Sequence, residues 1–189
     1  MRASTIGAVL AAGAAISAGF AAGQAFGAMT IFGGGFAEAC SKAATADDAS
    51  AATVELCTQS LRSDPLTRRD RAGTLINRGI LELDEDDLPS SLADFDAAIG
   101  LDPSVGEGWV DRGALDVIEK RYQQGVDDID KALALGVSEP EKAYFNRAVA
   151  FEGLDDEKSA YFDYKKALDL KPGWQLPERE LLRFTVTQR

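Results

Sequence analysis

Three stretches of this chain carry one pattern at an almost constant interval. Asn77-Arg78-Gly79, Asp111-Arg112-Gly113 and Asn146-Arg147-Ala148 are 34 and 35 residues apart. In each case the small third residue is followed 19 positions later by an alanine: Ala98, Ala132 and Ala167. Each segment then reaches a helix-ending stretch, Leu101-Asp102-Pro103, Leu135-Gly136-Val137 or Leu170-Lys171-Pro172. A fixed period of this length marks a solenoid, whose units cannot bury their apolar faces alone and must stack.

Within each unit the apolar residues fall into two runs at helical spacing. In 106–140 these are Trp109, Gly113 and Val117, then Tyr122, Ile129, Ala132 and Leu133; in 141–174, Tyr144, Ala148 and Phe151, then Ala160, Tyr164, Ala167 and Leu168. In 72–105 the matching positions are Leu75, Gly79 and Glu82, then Ser91, Phe95, Ala98 and Ile99. The alternation of small and aromatic residues over two helices resembles the tetratricopeptide repeat. That resemblance implies an all-α, right-handed α-solenoid of helix-turn-helix repeats. The small residues let two helices approach to the short end of the usual separation of about 8–10 Å. Glu82 and Asp116 stand where an aromatic is usual, Gly125 where an alanine is usual and Val137 in place of the proline.

A degenerate fourth unit fits 34–67, with Ser41, Thr53 and Ser60 in the small-residue columns. After the last full repeat, residues 175–189 read as a capping helix over Leu176–Phe184 followed by a tail, covering an otherwise open apolar end.

No charged residue occurs between Ala3 and Ala37, and only Arg2 precedes them. A basic start, an apolar middle and small residues at Gly23-Gln24-Ala25 form the layout of a secretory signal, expected over 1–25. A Gly-rich linker is expected over 26–35. The chain is therefore expected in the periplasm or secreted, and at a membrane only if the signal stays uncleaved. Cys40 and Cys57, the two cysteines, lie beyond the cleavage point, and an even count in an oxidising compartment favours a disulfide. The turn Thr45–Ala49 lies midway between them, so antiparallel helices bring the sulfurs together. The alternative is a pair of reduced, buried thiols.

The formal net charge is −11, with a pI near 4.5. Such a chain repels phosphate backbones and anionic lipid, so nucleic acid is excluded as a partner and a neutral or basic protein is favoured. There is no histidine, which removes the commonest general base and zinc ligand. No Gly-rich phosphate loop follows a strand and no calcium-loop motif surrounds Asp84-Glu85-Asp86-Asp87, whose ordinary role is helix capping. Neither enzyme activity, cofactor, metal nor small-molecule substrate is expected.

In the family this chain resembles, first helices line a concave groove that holds a partner. Asn77, Asp111 and Asn146 form one column there, and residues three further on, Ile80, Ala114 and Val149, share its face. Ile76, Val110 and Phe145 flank it, with Lys142 the one well-placed cation. An amide both donates to and accepts from a peptide backbone, so such a ladder reads a segment without a fixed sequence. Alternatively, these polar residues serve only contacts between neighbouring repeats. Arg78, Arg112 and Arg147 are expected to lie along neighbouring helices and pair with acids such as Asp94 or Asp128. The reading is an exported interaction scaffold; the alternative is a homo-oligomeric structural envelope protein, with Trp174 and Phe184 as its contacts.

Overall fold

The computed structural model describes residues 6–11, 27–31, 35–46 and 48–188. Among these, eight helices pair into four hairpins and a short ninth closes the end: α1 (Gly35–Thr45), α2 (Ala51–Ser63), α3 (Arg68–Asp84), α4 (Leu88–Leu101), α5 (Gly106–Ile118), α6 (Tyr122–Leu135), α7 (Pro140–Gly153), α8 (Glu157–Leu170) and α9 (Gln175–Leu181). Each helix packs on its hairpin partner and on the next hairpin, which makes the molecule a stacked α-solenoid.

The period recurs in the backbone. Asp86, Lys120 and Asp155, again 34 and 35 apart, all adopt a left-handed conformation with φ of 65°, 62° and 59°. Each sits in the tight turn from first to second helix. Asp87 and Asp156 then cap α4 and α8 by accepting the amides of Ser90 and Ser159, supplying acceptors to donors the helix leaves free. Within the acidic run, Asp87 is thus a helix cap.

The crossing of α3 and α4 shows why the small column is small. Phe95 is fully buried, and a Cβ on Gly79 would stand 2.7 Å from its ring. Around it Ile76, Ile80, Ala98, Ala114 and Leu115 form one apolar cluster continuous with the next hairpin. A second cluster, with Phe145, Ala148, Ala160 and Tyr164, joins α7 and α8 to Trp174, Leu176 and Leu181.

The arginine column is a recurring clasp. Arg78, Arg112 and Arg147 each bind an aspartate 16 residues on through Nε and Nη2, at 2.6–2.9 Å: Asp94, Asp128 and Asp163. Their third nitrogen reaches back to the preceding hairpin, to Thr58, Asp96 and Asp130 respectively. Arg112 and Arg147 also lie over the rings of Trp109 and Tyr144. A planar fork with five donors suits this two-sided hold better than a point charge would.

In the first hairpin, Cys40 and Cys57 are joined by a disulfide and fully buried, with their Cα atoms 4.9 Å apart.

The described residues depart from helix at the chain ends. β1 (Ile6–Ala11) pairs antiparallel with β2 (Phe184–Gln188), with Leu10 opposite Thr185 and Ala11 opposite Phe184. The capping helix expected to reach Phe184 stops at Leu181, because the following Thr185-Val186-Thr187 is β-branched and favours extended backbone. Of the expected signal segment, Ile6–Ala11 is this strand and the rest of 1–25 lies outside the described residues. Trp174 and Phe184, the candidate contacts between copies, pack on the chain's own α7–α8 cluster.

Candidate functional site

The first helices α1, α3, α5 and α7 pack side by side, each against the next. Their ladder residues Asn77, Asp111 and Asn146 are all fully buried. So are Ile76 and Ala114, while Ile80, Val110, Phe145 and Val149 are between 2% and 8% exposed. Lys142, with its side chain 16% exposed, bonds Glu139 at 2.8 Å.

The burial has a specific cause at two rungs. Residues 27–31, read from sequence as part of a linker, run across α5, α3 and α1 as a strap. Asn77 accepts the Met29 amide at Oδ1 (2.7 Å) and donates from Nδ2 to the Met29 carbonyl (2.8 Å). Asp111 Oδ1 accepts the Gly27 amide at 3.1 Å. On α1, Ser41 Oγ accepts the Ile31 amide at 3.2 Å and donates to the Met29 carbonyl at 2.8 Å. Amides of alternate residues, 27, 29 and 31, thus turn to three successive hairpins, as the period of two in an extended chain requires.

The strap's apolar side chains fit the same face. Gly73 on α3 leaves the space that Met29 fills; a Cβ there would lie 3.3 Å from the Met29 Cβ. Ile31 is 5% exposed, and Ala28 packs against the clusters of both the first and second hairpins.

Burial pushes the Asp111 carboxyl well above the ordinary carboxylate range, and the nearby Glu107 adds to this; the Gly27 amide and Lys142 oppose it. Asp111 Oδ2 has no hydrogen-bond partner. Glu107, itself 8% exposed, accepts the Ser138 amide. Glu82, which stands where the repeat pattern places an aromatic, is raised to about 7, chiefly by burial and then by Asp94.

Sequence reasoning singled out the column Asn77, Asp111 and Asn146, and the structure brings Asn77 and Asp111 together on one strand of the chain's own backbone. It missed the strap, the Gly73 notch and the role of Ser41, which was assigned to a packing column. Among the described residues no group of three or more His, Cys, Asp or Glu side chains is arranged to hold a metal ion, and no helix is long and apolar enough to cross a membrane.

No protein-family model matches the chain and no curated protein matches it. Solved structures do. The chain is similar to the Arabidopsis OM64 TPR domain at 22% identity and a TM-score of 0.58, over 62% of this chain and 96% of that one. It is similar to MamA at 19% identity and a TM-score of 0.60, covering 75% and 80%. The chain has the tetratricopeptide-repeat fold. A third neighbour, the first TPR of Spaghetti (RPAP3), was solved bound to the HSP90 peptide SRMEEVD; it matches at 22% identity with a TM-score of 0.57, over 60% of this chain and 90% of that one.

Proposed function

We propose that this protein is an exported interaction scaffold that holds a segment of another protein in its concave groove. The observation that carries this reading is the grip of Asn77 on both the amide and the carbonyl of one residue, Met29, which is how a ladder holds extended backbone of any sequence. A structural neighbour of the same fold carries a bound peptide, which supports the class of ligand. The net charge of −11 favours a neutral or basic partner. Without histidine, and with Asn77 and Asp111 both holding backbone, the chain is read as a binder rather than a catalyst.

The disulfide supports export, since such bonds persist in oxidising compartments. Cleavage near Ala25 removes β1 and leaves residues 27–31 on the mature protein. N-terminal sequencing of the cell-envelope protein tests this: a start near Phe26 is expected, and an intact Met1 contradicts export with cleavage.

For the groove, a photo-crosslinking residue at Val149 in the native host is expected to yield an adduct with another protein that Asn77→Ala removes. An adduct unaffected by Asn77→Ala contradicts recognition by the ladder.

A further inference from the structure

The strap satisfies the ladder incompletely, and the way it does so points to what replaces it. All five of its described hydrogen bonds to Asp111, Asn77 and Ser41 come from main-chain atoms. Its side chains contribute apolar contact, at Ala28, Met29 and Ile31. At the Asp111 rung the strap offers a glycine, and a buried carboxyl oxygen, Oδ2, is left without a partner.

There is room for more at that rung. Among the described residues, a Cβ built on Gly27 meets nothing nearer than Glu107 Cγ, at 3.8 Å, an ordinary contact. Any such side chain starts beside Glu107 and Asp111, two buried acids. At the strap's other end, a cleft of about 320 Å³ between Thr30, Ile31 and α1 residues such as Ser41, Lys42 and Thr45 leaves a neighbouring space into which an incoming chain can enter.

We infer that residues 27–31 are a built-in, weaker occupant of the groove, displaced by an extended partner segment bearing a basic residue two positions before the apolar residue that fills the Gly73 notch. The partner keeps the strap's backbone pattern and adds the cation that Gly27 lacks. This inference rests on the groove reading above and names the chemistry of its ligand. A protein whose binding face is occupied shows reduced apparent affinity until the occupant is loosened.

The test uses the full chain and fluorescein-labelled peptides read by fluorescence anisotropy. One peptide carries Gly-Ala-Met-Thr-Ile, the strap's own sequence, and a second carries Lys-Ala-Met-Thr-Ile. A third is the Lys peptide with its Met amide N-methylated. The Lys peptide is expected to bind at least tenfold more tightly than the Gly peptide, and N-methylation to abolish that binding. Met29→Pro, which removes the amide held by Asn77, is expected to tighten Lys-peptide binding at least tenfold.

Should Met29→Pro fail to fold by circular dichroism, Gly27→Lys serves instead. It supplies the cation in cis, and is expected to weaken peptide binding at least fivefold. Equal binding of the Lys and Gly peptides overturns the basic-residue assignment. Affinity unchanged by strap variants overturns displacement, as does light scattering that shows wild-type copies exchanging straps in a dimer. A Val149 adduct sensitive to Asn77→Ala, with no peptide bound, sinks this inference alone and leaves the groove standing.

Discussion

α1–α2 and α5–α6 are both two-helix units in one stack, yet they share almost none of the contacts that hold them. The later hairpin closes on a glycine column, Ile129 and Trp109, and the Arg112 fork ties it to the hairpin before it. The first hairpin has only Ala37, Ala43, Ala44 and the two half-cystines as its buried apolar residues, with Cys57 in the column that Phe95 and Tyr164 fill and Cys40 in the column of Arg78. Closing a loop of 17 residues restricts the unfolded chain enough to replace a good part of a missing core. The hairpin also needs its neighbours on two sides, since Ser41 and the cysteine-centred cluster hold Ala28 and the strap. The same geometry is therefore kept by packing in one region and by a covalent staple plus a borrowed segment in the other.

Several substitutions separate the two regimes. The largest effect is expected from Phe95→Ala, which empties the fully buried space against Gly79 and costs about 3–5 kcal/mol in urea unfolding. A loss below about 1 kcal/mol there breaks the claim that packing holds the full repeats. Removing the disulfide with Cys40→Ala and Cys57→Ala comes next, at about 3 kcal/mol, and is expected to loosen 35–63 while α5–α8 keep their amide protection. Uniform loss of protection along the chain contradicts the division.

A pH titration sharpens the comparison on the packed side. Glu82 is raised to about 7 in the fold, with one oxygen unpartnered, Asp94 repelling it and Arg78 3.6 Å away only partly compensating. Its folded pKa lies above its unfolded value, so the folded state binds more protons. Its contribution is fully present below about pH 4 and is lost as pH rises through about 7. Glu82→Gln is expected to remove roughly 1–2 kcal/mol of that decline, and a wild-type curve flat from pH 4.5 to 7.5 contradicts it. The smallest effect is expected from the half-buried clasp: Arg112→Met costs about 1 kcal/mol, and the Asp128→Asn partner change restores part of it.

The repeat was legible because its determinants are side chains at fixed intervals. Gly79, Gly113 and Ala148 announce close helix crossings, and the arginine column found its aspartates. The cysteines were legible through their count and the turn between them. The strap was not legible for a physical reason: the groove holds it by main-chain amides, which leave no mark on residue choice. Gly27, Ala28, Met29 and Ile31 continue an uncharged run that begins at the expected signal, and only the length of that run past Ala25 hinted at a further role. Ser41 was misread because a small residue in a packing column and a hydroxyl facing the groove look alike in sequence. The C-terminal cap was legible as an apolar cover, but the β-branched run that turns Phe184 into a strand outweighed its helical spacing.

Hydrogen exchange at the Met29 amide, measured on the full chain and on Asn77→Ala, tests most directly that the ladder grips backbone. Slow exchange at Met29 in the wild type, lost in Asn77→Ala while amides of α5–α8 stay protected, is the expected result. A Met29 amide that exchanges as fast as an open chain in the wild type contradicts the account.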